Sequence, residues 1–290
     1  MIDIQAIELG EYVSHISAAA ITRPFVAADR DGKHWVVKTL NPEKNHLWRD
    51  YVGGNLAIWL GLPWPRPLVP AVISDDVRRT VRSELEFEPS VDFGLATPYI
   101  EGLSLPKYGL PPFGGFTSND PFVSLTKDER LERVKRALSP LMCNENNLAA
   151  LYGRFVFDSW LAERDPMMDM LQVAEEKRLV CLDASSALNC RRDVEDTFHS
   201  MAPYCIHYML EGLQLYAKPF VTDCRLFTPW LSRLDQLTHE VWDSIVSACP
   251  FSPPHGIKAL RAQTLDILGF KSRFLNLPLF SRDRGFRGES

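Results

Sequence analysis

Three charged residues stand at positions where their types and order suit phosphoryl transfer. Lys38 lies in the apolar stretch HWVVKTL, Asp165 follows the apolar stretch FVFDSWL, and Asp183 ends the apolar stretch LVCLD. Phosphoryl transfer requires a cation that holds the triphosphate, a carboxylate that holds Mg²⁺, and a second carboxylate that orients or deprotonates the attacking hydroxyl. A lysine followed by acids at the ends of apolar elements therefore predicts a phosphotransferase site.

Each of these residues also has a plainer interpretation. Lys38 taken alone is more typical of an edge-strand lysine that points to water, and Asp165 is equally typical of a solvated turn residue at a helix end. Asp50, in the segment after Lys38, either pairs with that lysine or is a surface charge. The order of a lysine, a helix acid, a hinge and two further acids favours the catalytic interpretation. An ordinary α+β protein with incidental acids stays open as an alternative.

The strands that would position Lys38 are predicted from the stretch PFVAADRDGKHWVVKTL. Two β-rich runs flank D-R-D-G, which predicts a hairpin with its glycine at φ > 0. In the second run, alternation places Trp35 and Val37 on one face and Val36 and Lys38 on the other. Lys38 is thus expected on the face opposite the bulky tryptophan.

One helix and further strands are predicted next. NPEKNHLWRDYVGGNLAIWLG is predicted as a helix that ends at Gly61, because P-W-P-R-P forbids its continuation. Gly53 and Gly54 weaken the helical pattern. LVPAVIS is predicted as a strand, and VRSELEFEPSVDFGLATPYIEG as a strand pair that ends at a hinge near residue 100.

After Gly102 the composition changes, and helices dominate from Leu125 onward. LSLPKYGLPPFGGFTSNDP is predicted as a loop and MLQVAEEKRLVCLD as a strand pair. The predicted helices are KDERLERVKRAL, NNLAALYGRFVFDSWL, HSMAPYCIHYMLEGLQ, WLSRLDQLTHEVWDSIVSA and GIKALRAQTLDILGFKSRFL. The predicted fold is α+β and bilobal: a small β-rich lobe with one helix (1–102), a larger helical lobe (103–280) and a flexible tail (281–290).

Charge and composition narrow the classes of partner and compartment. The net charge of −5, from 32 Lys and Arg against 37 Asp and Glu, argues against nucleic acid as a partner, since general nucleic-acid binders are usually basic. No apolar run approaches the roughly 20 residues that span a bilayer, and MIDIQAIELGEY lacks the pattern of a signal peptide. A cytoplasmic protein without membrane association is therefore expected. The six cysteines show no C-x-x-C spacing and are expected to be free, buried thiols.

Several motifs in this order resemble the HipA-like kinases, in the branch of compact single-domain members related to the bacterial HipA Ser/Thr kinases. LWRDYVGGNLAIWLGLPWP is similar to a family helix that reads N-E-x-x-x-x-x-L-A-x-x-L-G-L-P-x-P, and TPYIEG is similar to the family hinge. FDSWLAERD is similar to F-D-x-W-I-x-N-x-D-R, and LVCLDAS falls on the strand whose aspartate binds metal. The resemblance runs from residue 12 to residue 275.

The resemblance implies a protein-kinase-like fold and a role for each candidate residue. Lys38 would contact the α/β-phosphates of ATP, and Asp50 would position Lys38. Asp165 would be the catalytic base, and Asp183, with or without Asp169, would hold Mg²⁺. The implied adenine contacts are backbone groups of the hinge, at Pro98, Tyr99, Ile100 and Glu101. The implied activity is ATP- and Mg²⁺-dependent phosphorylation of a protein Ser/Thr.

The catalytic loop departs from the family pattern. The Asn that usually holds a second Mg²⁺, five residues after the catalytic acid, is replaced by Met170, and a thioether is a poor ligand for a hard cation. Asp169 is the acid that would substitute for it if the loop shifts. Asp50 stands where the family usually has Glu, so its pairing with Lys38 requires the helix to lie closer to the strand.

Two main function classes follow from the resemblance. One is the active kinase, and the other is a pseudokinase that keeps the bilobal shape and works as a binding module for a partner protein. HipA-type kinases commonly operate beside a partner in toxin–antitoxin arrangements, so both classes permit a cognate partner protein. A small-molecule phosphotransferase is a further alternative, because related kinase-like folds phosphorylate antibiotics and lipids.

Overall fold

The computed structural model describes residues 6–16, 24–39, 46–85, 93–104, 126–161, 171–174, 177–182, 184, 187–188 and 220–276. Lys38, Asp50 and the predicted hinge lie within these ranges, whereas Asp165, Asp169 and Asp183 lie outside them. Within the same ranges, no helix has both the length and the apolar character needed to cross a membrane.

The first part of the described chain forms a closed five-stranded barrel. Its strands are β1 (Ile7–His15), β2 (Phe25–Asp29), β3 (His34–Thr39), β4 (Val69–Ile73) and β5 (Phe93–Pro98), in the order β1-β2-β3-β5-β4. Neighbouring strands are antiparallel, except that β1 and β4 pair in parallel and so close the barrel. Strand β3 has a partner on each side, so Lys38 does not lie on a free sheet edge.

The hairpin predicted at D-R-D-G is confirmed. Gly32 adopts φ 76° in the turn between β2 and β3. The Asp29 carboxylate accepts hydrogen bonds from the amides of Asp31 and Lys33 and, at 2.7 Å, from the indole of Trp35. One side chain at the end of β2 thereby fixes both the turn and the first residues of β3.

The alternation predicted for β3 is also confirmed. Trp35 and Val37 are buried in the barrel interior, together with residues such as Phe25, whereas Val36 and Lys38 are only partly buried on the other face. Because successive strand side chains point to opposite faces, a lysine at this position emerges on the outer surface of the barrel.

Helix α1 (His46–Leu60) follows β3 and ends as predicted. Gly61 adopts φ 93°, and its amide donates to the carbonyl of Ile58. The amide of Leu62 donates to the carbonyl of Ala57. This pair of bonds is a Schellman cap, which needs a residue at positive φ and therefore favours glycine.

A second helix, α2 (Asp75–Leu85), occupies part of the stretch that was predicted as a strand pair. Its buried residues Val77 and Val81 are one helical turn apart and pack on the barrel interior. The Ser74 hydroxyl accepts the Val77 amide at 3.3 Å and caps the helix. The β-branched residues favoured a strand, but their spacing of four and the cap favour a helix. The described residues of the range 1–102 therefore contain two helices, where the sequence predicted one.

A second, smaller sheet has the strand order β6-β7-β8 and is antiparallel. Its strands are β6 (Gly102–Ser104), β7 (Leu171–Ala174) and β8 (Leu179–Cys181). Strands β7 and β8 confirm the pair predicted at MLQVAEEKRLVCLD. Strand β6 includes Leu103 and Ser104, which begin a stretch predicted as loop, and it pairs with β7, which lies far away in the sequence.

The remaining described elements are helical. They are α3 (Lys127–Met142), α4 (Glu145–Leu161), a 3-10 helix (Cys224–Phe227), α5 (Thr228–Leu234), α6 (His239–Ser247), α7 (Ile257–Leu265) and α8 (Ile267–Leu275). Each of the last two predicted helical stretches divides in two, because Thr238 and Asp266 act as N-caps inside them. The helix predicted at HSMAPYCIHYMLEGLQ lies outside the described residues.

Two hydrophobic cores form within the described chain. The barrel core fills the interior of β1–β5 and includes Val77 of α2. The helical core contains Phe155 of α4 and Phe274 of α8, and it also takes in the apolar residues of α1, such as Trp48 and Leu56. Helix α1 lies between barrel strands in the sequence but packs with the later helices.

Candidate functional site

Lys38 and Asp50 form an ion pair between β3 and α1. Nζ of Lys38 lies 2.9 Å from Oδ1 of Asp50, and the two side chains are 14% and 5% exposed. The alternatives of a water-facing lysine and a surface aspartate are therefore excluded. Helix α1 lies close enough to β3 for the short aspartate side chain to reach the ammonium. A lysine held in this way presents its charge at a fixed place, which suits contact with phosphate oxygens.

The same carboxylate oxygen also holds the chain just after β8. The amide of Ala184 donates to Oδ1 of Asp50 at 3.1 Å, and the two residues are 134 positions apart. Asp50 and Ala184 are both buried. One oxygen of α1 thus joins the lysine of the barrel to the segment that follows the second sheet.

The approach of this segment to α1 explains a glycine in the middle of the helix. A Cβ atom at Gly53 would lie 2.8 Å from the Cβ of Ala184, which is closer than real Cβ atoms approach. Gly54 has a similar role, because a Cβ there would lie 2.5 Å from the Leu68 side chain. The two glycines that weaken the helical pattern are therefore positions where other parts of the chain approach the helix too closely for a Cβ atom.

A buried ion pair on α4 contacts the other end of the same segment. Nε of Arg154 lies 2.6 Å from Oδ1 of Asp158, and the two side chains are 0% and 1% exposed. Nη1 of Arg154 donates to the carbonyl of Leu182 at 2.7 Å. The sequence interpretation missed this pair, although an Arg and an Asp four residues apart inside an otherwise apolar helix could have indicated it.

Two further backbone bonds hold the chain around residue 183. The amide of Cys181 donates to the carbonyl of Pro63 at 2.8 Å, just beyond the end of α1. The amide of Leu188 donates to the carbonyl of Leu161, the last residue of α4, at 2.9 Å. Leu161, four residues before Asp165 in the sequence, thus contacts Leu188, five residues after Asp183.

The hinge residues connect the barrel to the second sheet. Pro98 ends β5 opposite Trp35, and the Tyr99 amide donates to the carbonyl of His34 at 3.0 Å. The Tyr99 ring is 42% exposed and meets the His34 ring edge-on, with 6.4 Å between centroids. Ile100 is partly buried and Glu101 is exposed. Pro98 and Tyr99 therefore lie beside β3, the strand that carries Lys38, and Ile100 and Glu101 follow them in the chain.

The predicted base and metal ligands, Asp165, Asp183 and Asp169, lie outside the described residues. Their chemistry fits the group that the resemblance implies, because carboxylate oxygens are the protein ligands that Mg²⁺ prefers. Among the described residues, no three His, Cys, Asp or Glu side chains form a group that could hold a metal ion. The described part of the site therefore contains the Lys38–Asp50 ion pair and the side-chain contacts that hold Leu182 and Ala184, the chain neighbours of Asp183.

The described cysteines are free thiols. Cys143 is exposed, Cys181 is buried, and Cys224 and Cys249 are partly buried. Burial raises the pKa of Cys181 to about 12, so this thiol at the end of β8 stays protonated at neutral pH. The expectation of free thiols holds for these four, and that of burial fails for Cys143.

The family model of the HipA-like kinases matches residues 11–105, which span most of the barrel, helices α1 and α2 and the hinge. A comparison with curated proteins found no match. Among solved structures, the Helicobacter pylori proinflammatory kinase CtkA is similar with a TM-score of 0.52 at 14% identity, over 94% of this chain and 100% of that chain. The Golgi casein kinase is similar with a TM-score of 0.34 at 12% identity, over 94% of this chain and 73% of that chain.

At these identities, structural similarity concerns the fold and does not extend to the reaction. The resemblance to HipA-like kinases that the motifs indicated is confirmed over residues 11–105, the part of the chain that carries Lys38 and Asp50. The motifs FDSWLAERD and LVCLDAS lie outside the matched residues, so their resemblance to the family stays a prediction. The molecule is therefore a kinase-like protein, similar to the HipA-like kinases over residues 11–105 and to CtkA in fold over most of its length.

Proposed function

We propose that this protein is an ATP- and Mg²⁺-dependent phosphotransferase of the HipA-like kinase type, which phosphorylates a Ser or Thr side chain of a protein. The observation that carries the proposal is the position of Oδ1 of Asp50, 2.9 Å from Nζ of Lys38 and 3.1 Å from the amide of Ala184. A kinase site needs its phosphate-binding lysine and its metal-binding acid at one place. This shared oxygen joins the strand of the lysine to the residue that follows Asp183.

Each candidate residue has a role in this proposal. Lys38 contacts the α/β-phosphates, Asp50 holds its ammonium, and the backbone of Pro98, Tyr99, Ile100 and Glu101 contacts the adenine. ATP would supply the phosphoryl group that is transferred, and Mg²⁺ would neutralise the charge of the phosphate oxygens.

The acids have the remaining roles. Asp183, with or without Asp169, holds Mg²⁺, and Asp165 accepts the proton of the substrate hydroxyl. Two hydrogen bonds support this assignment: the amide of Ala184 donates to Asp50, and the amide of Leu188 donates to the carbonyl of Leu161. Ala184 and Leu188 lie close to Asp183 in the sequence, and Leu161 lies close to Asp165. In the proposed arrangement the site lies between a small β-rich lobe and a larger helical lobe.

A protein segment rich in Lys and Arg is the proposed substrate class, since the chain carries a net charge of −5. Complementary charge raises the rate of encounter between an acidic enzyme and a basic segment. We also propose a cognate partner protein, as in the toxin–antitoxin arrangements of HipA-type kinases. This partner is proposed both for an active kinase and for a pseudokinase.

The test measures thermal unfolding with ATP, with and without Mg²⁺, and transfer of ³²P from labelled ATP to a basic Ser/Thr peptide. ATP at 100 times its Kd stabilises the native state by about 2.7 kcal/mol, so the melting temperature of the parent protein is expected to rise by several degrees when Mg²⁺ is present. Asp183→Ala and Lys38→Met are expected to lose this rise. Lys33→Met, which removes an exposed lysine from the same hairpin, is the matched control and keeps it. A parent protein without any response to ATP and without transfer contradicts the proposal.

The second candidate function is a pseudokinase that binds a partner protein. Met170 at the place of the second metal-binding Asn favours it, because the loss of one electrostatic contact in a transition state typically lowers the rate on the order of 10²–10³-fold. A melting temperature that rises with ATP alone, together with no ³²P transfer, selects this candidate. A rise that requires Mg²⁺, together with transfer, selects the active kinase.

A further inference from the structure

We propose that Arg154 is a positioning residue for the segment that contains Asp183. From α4 its guanidinium holds the carbonyl of Leu182, while Asp50 of α1 holds the amide of Ala184. This inference rests on the proposed function, because the proposed function assigns Mg²⁺ to Asp183. It adds a residue that contacts neither nucleotide nor metal and acts through the backbone.

The Leu182 carbonyl accepts a hydrogen bond from outside the sheet. Among the described residues, the pairing of β8 with β7 ends at Cys181, which lies opposite Leu171, and Leu182 follows this pair. Nη1 of Arg154 donates to its carbonyl at 2.7 Å. A side chain of α4 thereby replaces the strand partner at the residue where the sheet stops.

The arginine is held in one orientation. Its Nε lies 2.6 Å from Oδ1 of Asp158, one helical turn further along α4. The guanidinium carbon lies 5.4 Å from the ring centroid of Trp64 and 5.3 Å from that of Phe157. Because the guanidinium is planar, fixing Nε against a carboxylate also fixes the direction in which Nη1 points. A lysine at this position would keep the charge but not the direction.

Stability alone gives a poor account of this ion pair. Taking two charges out of water costs much of what their attraction returns, and apolar replacements of similar size are often neutral or stabilising. A neutral donor would satisfy the Leu182 carbonyl equally well. A rigid charged donor is better explained by a demand for precise placement. A charged, buried side chain holds each peptide neighbour of Asp183: Arg154 holds Leu182, and Asp50 holds Ala184.

The test variant is the double replacement Arg154→Met and Asp158→Leu. It removes both charges together and leaves apolar side chains of comparable length, so neither Arg154 nor Asp158 remains as a buried charge without the other. The matched control is Arg261→Gln with Asp243→Asn, which removes a more exposed ion pair between α6 and α7. Arg154→Lys is a third variant, which keeps the charge and loses the planar fork.

The first readout is hydrogen–deuterium exchange of peptides that cover residues 179–188, and it needs no ligand. The double variant is expected to exchange there on the order of fivefold to tenfold faster than the parent, because the segment loses a side-chain anchor. Peptides that cover β4 are expected to exchange at the parent rate. The control pair is expected to leave both regions unchanged.

The second readout is the Mg²⁺ concentration that gives half of the ATP-dependent rise in melting temperature. The double variant and Arg154→Lys are expected to need roughly 10–100 times more Mg²⁺ than the parent, as for other residues that orient metal ligands from behind. A purely structural role for Arg154 would lower the melting temperature without ligand but leave this Mg²⁺ midpoint unchanged.

The outcomes separate the two proposals. If the parent responds to ATP and Mg²⁺ while the double variant has the parent's Mg²⁺ midpoint, the positioning role is overturned and the proposed function stands. If exchange over residues 179–188 is unchanged in the double variant, the positioning role is overturned whatever the nucleotide results. If the parent shows no response to ATP and Mg²⁺ at all, the proposed function fails, and the assignment of Arg154 to a metal site fails with it.

Discussion

The barrel core and the helical core differ in how they recruit their segments. The barrel core is built from strands and one helix that lie close together in the sequence, with Phe25 and Val77 among its members. The helical core collects segments that lie far apart in the sequence, from α1, which is flanked by barrel strands, to α8 near the C-terminal end. Leu95 of barrel strand β5 also packs in the helical core.

This difference places the ion pair of Lys38 and Asp50 where the two cores meet. Lys38 extends from the outer face of a barrel strand, and Asp50 lies on a helix that belongs to the other core. The distance between them therefore reports how the cores are placed against each other. The barrel core thus forms from elements that follow each other in the sequence. The site, in contrast, depends on α1, which packs in the other core and not with the strands on either side of it in the sequence.

The largest expected effect comes from cavities in the two cores. Phe25→Ala in the barrel core and Phe274→Ala in the helical core each remove a fully buried ring and are expected to lower the free energy of unfolding by about 3–5 kcal/mol. Urea denaturation followed by circular dichroism and fluorescence measures both. One transition is expected in each variant, because Leu95 and the ion pair link the cores.

Leu268→Ala is the control for these variants, since Leu268 is 81% exposed. Its free energy of unfolding is expected within about 0.5 kcal/mol of the parent value. A separate early transition in Phe25→Ala alone would contradict the coupling of the two cores.

The next largest effect tests the link itself. Asp50→Ala removes the shared acceptor of Lys38 and of the Ala184 amide, both in a largely buried place. The free energy of unfolding is expected to fall by about 3 kcal/mol, as for other buried ion pairs that lose one partner. Asp235→Ala is the control, because its pair with Lys271 is half exposed, and it is expected to cost less than about 1 kcal/mol. Equal losses in the two variants would contradict the role of Asp50 as a stabilising link between the two cores.

A smaller effect tests how tightly the segment after β8 packs on α1. Gly53→Ala adds a Cβ atom 2.8 Å from that of Ala184, and this overpacking is expected to cost about 1–3 kcal/mol, against a gain of about 1 kcal/mol in helix propensity. A double-mutant cycle with Ala184→Gly measures the coupling. The double variant is expected to recover the loss that Gly53→Ala causes, and additive effects would contradict a direct contact.

The smallest effect concerns the hairpin at the edge of the barrel core. Slight burial alone would raise the pKa of Asp29, but hydrogen bonds from the Trp35 indole and from the amides of Lys33 and Asp31 outweigh it and lower the pKa. A carboxyl group whose pKa is lower in the folded state stabilises that state above its unfolded pKa. This contribution is lost as the pH falls through the folded pKa.

The measurement is an NMR titration of the Asp29 carboxyl group, together with unfolding at neutral and acid pH. Asp29→Asn is expected to be less stable than the parent at neutral pH, and the difference is expected to shrink in acid. Ala replacement of Asp31, whose side chain is exposed, serves as the control. A stability difference that is constant with pH would contradict the role of the Asp29 charge.

Local rules account for the parts of the fold that the sequence predicted well. The hairpin follows from D-R-D-G, the outward direction of Lys38 follows from strand alternation, and the end of α1 follows from Gly61 and the prolines after it. Each depends on residues within a few positions of each other. Helix α2 was missed because Val77 and Val81 suit a strand as well as a helix until the barrel surface they cover is known.

Some residues of the candidate site were likewise predicted from the sequence, and others were not. Lys38, Asp50 and the hinge were predicted from motif order, and the structure brings Lys38 and Asp50 together. The roles of Asp165, Asp169 and Asp183 stay predictions. Arg154 was missed. Its pairing with Asp158, four residues later, could have been expected from the sequence, but its contact with the carbonyl of Leu182, 28 residues later, could not.

By itself, the sequence determined several local features: the hairpin between β2 and β3, the end of α1, and which face of β3 carries the lysine. Only the tertiary structure decided that one oxygen of Asp50 serves both Lys38, 12 residues away, and Ala184, 134 residues away. The physical reason is that hydrogen bonds within a turn or a strand pair depend on nearby residues, whereas contacts between distant segments depend on which apolar surfaces bury each other. Because α1 packs in the helical core, the carboxylate of Asp50 lies where Lys38 and the segment after β8 meet.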